Sequence, residues 1–135
     1  MALLDWDESL SIGVKEMDRQ HQVLVEMLNE LHSSMMAGNT HEILGALLHK
    51  LVEYAKFHFH AEEEFLSAEA FPALTAHHQL HEDMTKELQV FVDRYERGEE
   101  MIHLHLMSFL RDWLMHHILQ EDRGYGQWVT RNTGR

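Results

Sequence analysis

The sequence has no cysteine, one proline and seven glycines in 135 residues, and its eleven lysines and arginines are outnumbered by twenty-three acids. Without cysteine, disulfides, thiolate zinc sites and cysteine-ligated iron–sulfur clusters are excluded. So little proline and glycine lets long helices run uninterrupted and argues against a turn-rich β fold. The formal charge is −12 with histidine neutral. That charge repels nucleic acid and anionic membrane surfaces, so neither is an expected partner. Long apolar runs are also missing. The opening Met1-Ala2-Leu3-Leu4-Asp5-Trp6-Asp7-Glu8 is acidic and reads as neither a secretory signal nor a membrane span. A cytoplasmic location is the default expectation.

What is present fits one compact domain over residues 1–135, with 44% apolar residues to build a single core. Thirteen histidines stand out. Histidine is the commonest metal ligand and also titrates near neutral pH, so metal binding and pH sensing both come into view. Spacing has to decide between them.

Residues 1–17 read as an irregular arm, with Trp6 as an apolar plug and Gly13 as a turn residue. Asp18 can cap a first helix to about Ala37, stopped by Gly38 and Asn39. Its apolar stripe is Leu24, Met27, Leu28, Leu31 and Met35. Thr40 can cap a second helix to about Ser67, whose stripe of Leu44, Leu48, Leu51 and Ala55 continues in register to His58, Glu62 and Phe65. Pro72 suits the first turn of a third helix, ended near residue 97 by Gly98, with the stripe Leu74, His77, His81, Met84, Leu88, Phe91, Tyr95. A fourth helix is expected from about Met101 to Gln120, with His103, Met107, Leu110, Leu114 and His117 inward. Residues 123–135, with Gly124, Gly126 and Gly134 around Trp128, read as a short loose tail. Four amphipathic helices on short connections imply an all-α, antiparallel up-down-up-down four-helix bundle.

The residues that interrupt the stripes carry the chemistry. His58 and Glu62 lie one turn apart on the inner face of the second helix, and His77 and His81 likewise on the third. His21 precedes Leu24 by three on the first helix, and His117 follows Leu114 by three on the fourth. Burying ions costs several kcal/mol each even after relaxation, of order. Five imidazoles and a carboxylate in one core therefore need mutual satisfaction, and a metal supplies it, because each ligand becomes a bond and the cation offsets the carboxylates. A solvated ion pair would account for His58 and Glu62 alone, and a satisfied core histidine for His21 or His117 alone. Their conjunction on all four helices favours metal over a pH-responsive bundle.

These residues resemble the hemerythrin family, in its bacterial single-domain form, from Trp6 to about Tyr125. Ser9-Leu10-Ser11-Ile12-Gly13-Val14 and Asp18-Arg19-Gln20-His21 are similar to the family's opening segment and first ligand. His58-Phe59 with Glu62-Glu63, His77 with His81, and Trp113-Leu114 with His117-Ile118 and Asp122 are similar to its later motifs. The resemblance implies two iron ions, cycling between Fe2+ and Fe3+, with a bridging oxo or hydroxo group. It implies that His77, His81 and His117 hold one iron, His21 and His58 the other, and that Glu62 and Asp122 bridge them. Reversible dioxygen binding for transport, storage or delivery would follow, with no enzyme activity and a monomeric chain. Two alternatives are a redox or oxygen sensor acting through a separate partner and a di-iron oxidase or peroxidase.

Di-iron oxidases generally carry paired Glu-x-x-His motifs, and only Glu100 with His103 has that spacing here. A dry oxygen pocket lined by Leu24, Trp113, Leu114 and Ile118 is expected. One choice stays open. Asp122 is five residues from His117, about 140° around an ideal helix, whereas Glu121, at four, shares its face. The resemblance implies Asp122, and then the helix has to loosen after Gln120. His60, His78 and His116 are expected to point aside, and His32, His41, His49, His103 and His105 to lie on the surface.

Overall fold

A computed structural model describes residues 4–38, 40–99 and 101–132. Expectations placed on Met1 to Leu3, Asn39, Glu100 and Gly134, and on the side chains of Thr40 and His41, lie outside the described residues. The long helices are α1 (Lys15–Ala37), α2 (Thr40–Ala68), α3 (Leu74–Glu96) and α4 (Ile102–His116). A π-helical turn, His117–Asp122, follows α4 directly and leads into α5 (Arg123–Asn132). α1 packs against α2 and α4, and α3 against the same two, giving an all-α four-helix bundle. The inward polar residues sit early in α1, late in α2, early in α3 and at the end of α4, yet they meet at one end of the bundle. Successive helices therefore alternate in direction.

The stripes of α1, α2 and α3 bury along most of their length as their spacing predicts, with Met35, Phe65, Leu74 and Tyr95 at their ends half-buried. Leu24, Leu28, Leu31, Leu48, Leu51, Met84, Leu88 and Phe91 are all 5% exposed or less. On α4 the buried row is Ile102, Leu106, Leu110 and Leu114. The expected His103 and Met107 are only half-buried, one position off that row. Pro72 precedes α3 in a turn rather than entering it. Gly38, at φ +77°, closes α1 in a left-handed conformation and donates its N–H to the Met35 and Ser34 carbonyls.

Asp18 does not cap α1. That helix begins at Lys15, and the Asp18 carboxylate instead accepts from Ile12 N–H at 2.8 Å and Ser11 Oγ–H at 2.6 Å. These bonds tie the arm to the first turn. Leu10 and Ile12 then bury into the core, and the arm runs back along α1, where Leu4 exchanges two hydrogen bonds with the Asn29 side chain.

The tail is not loose. Residues 123–132 are helical, with Tyr125 fully buried, Val129 3% exposed and Trp128 set edge-on against Phe71. Gly124 and Gly126 weaken intrinsic helix propensity, which is why this segment reads as irregular in sequence. Gly126 has another use: a Cβ there would collide with the Ile12 carbonyl, so its absence lets the arm backbone cross α5 at contact distance. Arg123 also donates to the Ser9 carbonyl. The arm thus straps α5 onto the end of the bundle that carries the polar residues. Among the described residues, no helix is long and apolar enough to cross a membrane.

Candidate metal centre

All seven residues expected as ligands come together in the interior, none more than 4% exposed. Their donor atoms form two overlapping groups, each with its atoms within 4.8 Å of one another. One comprises His21, His58, Glu62, His117 and Asp122; the other comprises Glu62, His77, His81 and His117. Glu62 spans them. Its Oε1 lies 2.5 Å from His77 Nε2 and 2.8 Å from His81 Nε2, while Oε2 lies 3.2 Å from His58 Nε2. His117 is also common to both. Asp122 belongs to the first group, with Oδ2 2.7 Å from both His21 Nε2 and His117 Nε2, and its Oδ1 reaches toward the second, 3.3 Å from His77 Nε2.

The π turn explains how Asp122 reaches this position. In a π-helix each N–H bonds five residues back, so residues five apart fall on one face, and such turns are frequent at functional sites. His117 and Asp122 are five apart and bound the turn. Glu121, which an ideal α-helix would have turned inward, is half-buried and pairs with His116 at the surface, 3.3 Å away.

The donor set fits a metal on an observation independent of spacing. Both nitrogens of His21, Nε2 of His58 and His117, and both oxygens of Asp122 are shielded from solvent without a hydrogen bond of acceptable geometry. The 2.7 Å approaches to Asp122 are therefore close ionic contacts rather than aligned bonds. Orphaned buried polar atoms are costly, and here they converge.

Electrostatics follow from the crowding. Burial disfavours charge on His117, but attraction to Asp122 and Glu62 outweighs it and raises the ring to about 10. Burial opposes the charged His77 ring likewise, and its contacts with Asp122 and Glu62 raise it to about 9. His21 is raised for the same reasons. At His58 burial wins and the pKa falls. Glu62 is held well below the usual carboxylate range against its burial, chiefly by His117 and His58. Asp122 is lowered against its burial and the neighbouring Glu62 charge, chiefly by His117.

Several groups outside the expected set complete the centre. His58 Nδ1–H donates to Gln20 Oε1 and His81 Nδ1–H to Glu63 Oε2, each at 2.7 Å, which turns both Nε2 atoms inward. Phe59 stacks on His81 with ring centres 4.1 Å apart, and Trp113 on His117 at 4.5 Å. Tyr125 donates its hydroxyl to Glu62 Oε2 at 3.0 Å. Gln20, Glu63 and Phe59 adjoin ligands in sequence, and adjacency alone assigned them no role. Tyr125 follows Asp122 by three, a spacing that carries meaning only once the segment is known to be helical.

Three of the four expected pocket residues, Leu24, Trp113 and Leu114, line an enclosed apolar cavity of about 10 Å³ together with Ala55 and Met84. Leu24, Ala55, Met84 and Leu114 each lie three residues from His21, His58, His81 or His117, which sets the cavity one helical turn from the cluster. Ile118 is fully buried but is not among its walls. His60, His78 and His116 point outward and pair with acids; His49 and His105 are exposed. His32 and His103 are half-buried rather than exposed, and His32 Nδ1 is shielded without a partner. Neither joins the cluster.

The sequence and fold are similar to those of known proteins. The family model for the hemerythrin HHE cation binding domain matches residues 12–129. A bacteriohemerythrin of Stenotrophomonas maltophilia is 34% identical over 96% of this chain and 83% of its own length. One from Methylococcus capsulatus is 31% identical over 93% of this chain and 96% of its own. A wild-type hemerythrin crystal structure superposes with a TM-score of 0.85 at 29% identity, covering 95% of this chain and 98% of that one. The chain belongs to the hemerythrin family, whose cation-binding fold it carries with a buried histidine–carboxylate cluster able to hold metal.

Proposed function

We propose that the chain, acting as a single domain, binds dioxygen reversibly at a di-iron centre for transport, storage or delivery. The observation that carries this reading is the pair of overlapping donor groups, with Glu62 in both and Asp122 reaching from the first to His77 of the second. His77, His81 and His117 would hold one iron, His21 and His58 the other, with both carboxylates and an oxo or hydroxo group between them. Bound iron would supply the electrons that dioxygen takes up and returns. The protein's part is to fix the imidazoles and keep water out. Gln20 and Glu63 orient two of the rings, and the dry cavity beside Leu24, Trp113 and Leu114 offers an apolar space without proton donors. Five imidazoles and two carboxylates make a nitrogen-rich donor set suited to holding iron between two oxidation states. That set supports binding over the oxidase reading, which leans on more carboxylates.

Metal analysis with optical spectra tests this. The purified protein should contain two irons per chain, and the reduced form should gain a visible charge-transfer band in air that fades on deoxygenation. One zinc per chain, or rapid irreversible oxidation with peroxide turnover, would defeat the reading.

A further inference from the structure

Two of the five inward imidazoles are held from behind by side chains of different charge. Behind His58 is Gln20, buried and neutral; behind His81 is Glu63, a carboxylate 24% exposed. Glu63 reaches from α2 across to α3. Its second oxygen accepts from His78 Nδ1, and His78 Nε2 meets Glu82 at 3.0 Å on the surface. A connected row therefore runs from solvent through Glu82, His78, Glu63 and His81 to Glu62. The row borders an open groove of about 470 Å³ between α2 and α3. A surface glutamate free to extend into water is here folded over and bonded at both oxygens, so its orientation is fixed.

An imidazole whose far N–H meets a carboxylate is locked in the ligating tautomer and becomes a more basic donor, whereas a neutral amide fixes the tautomer without adding charge. His77, the other early-α3 ring, has no such support from Glu63, so the effect enters through His81 alone. We propose that Glu63 is a positioning residue that makes the His77–His81–His117 group the stronger of the two metal positions, so that it fills first. This inference rests on the two-metal reading above. It assigns unequal affinities to the two positions and names the residue that sets the difference.

Anaerobic titration of the metal-free chain with Fe2+, followed by calorimetry, reads both steps. The wild type should take up two ions in resolved steps. Glu63→Gln, which keeps the shape and loses the charge, should weaken the first step about 10–100-fold and leave the second unchanged, with helical content preserved. Gln20→Ala should act on the second step alone. The proposal is overturned if the wild type fills both positions with equal affinity, if Glu63→Gln changes neither step or both alike, or if Gln20→Ala weakens the first. A wild type that takes up fewer than two ions would instead sink the di-iron reading itself.

Discussion

Glu62 is where the centre's contacts concentrate: one buried carboxylate faces His77 and His81 with one oxygen and His58 with the other, and Tyr125 donates to the second. Burial and the nearby carboxylates, Glu62 foremost, push the Tyr125 phenol well above its ordinary range, so it remains a donor at any working pH. Tyr125→Phe removes that donor and strands an acceptor inside the bundle. The metal-free protein should lose about 1–3 kcal/mol in urea unfolding. An unchanged midpoint would mean that Glu62 does not depend on the phenol. Six of the seven inward residues were legible in sequence because each interrupts, or lies just beyond, an apolar stripe of known period; helical spacing left Asp122 open against Glu121, and only the family resemblance pointed to it. Tyr125 was not legible, because it belongs to a segment with no stripe, and an aromatic residue between two glycines reads as loop. The partners Gln20 and Glu63 were equally hidden, since a residue next to a ligand points aside on an ideal helix and only the neighbouring helix brings it into use.

At the scale of elements, periodicity gave the four long helices because burial follows helical spacing along each of them, although on α4 the buried row begins one position away from the expected His103 and Met107. It failed after His116, where two helical periods meet. α-Helical spacing favours Glu121, and π spacing favours Asp122; the sequence alone does not say which ladder forms. The register makes a sharp contrast testable. Glu121→Ala should keep full metal content, since that side chain pairs with His116 at the surface. Asp122→Ala should lose metal, since it removes the oxygens beside His21, His117 and His77. Metal analysis of the two purified variants decides it, and the reverse result would return the bridging role to Glu121. The same stretch shows why the tail reads as loose in sequence and is helical in the fold. Helix propensity penalises Gly126, but the crossing of the Ile12 backbone requires a residue without Cβ there, and burial of Tyr125 and Val129 offsets the cost.

For the whole molecule, the cluster ties folding, charge and metal uptake to pH. In the metal-free chain His77 is raised to about 9 and His117 to about 10 from an ordinary 6.5, so the stability they contribute is fully present below 6.5 and is lost as pH rises through those values. Glu62 and Asp122 are lowered from 4.5 and 3.8, so their contribution is present above those ordinary values and disappears as pH falls through the depressed ones. The combined contribution of these four groups is therefore greatest between about 4.5 and 6.5, while His58, whose ring burial keeps neutral, works against it as pH falls below 6.5. Metal ligation needs neutral rings, so uptake at pH 7 has to expel the protons held by His77 and His117. Calorimetry in buffers of different protonation enthalpy should find at least about two protons released per loaded chain at pH 7, those of His77 and His117, with His21 and formation of the bridging group adding to them. The share from the rings should diminish above pH 9 as they become neutral beforehand, with metal affinity rising over the same interval. No net release at pH 7 would show that the rings are already neutral. The carboxylates would then lack their counter-charges in the metal-free fold, and its stability would not decline between pH 7 and 10.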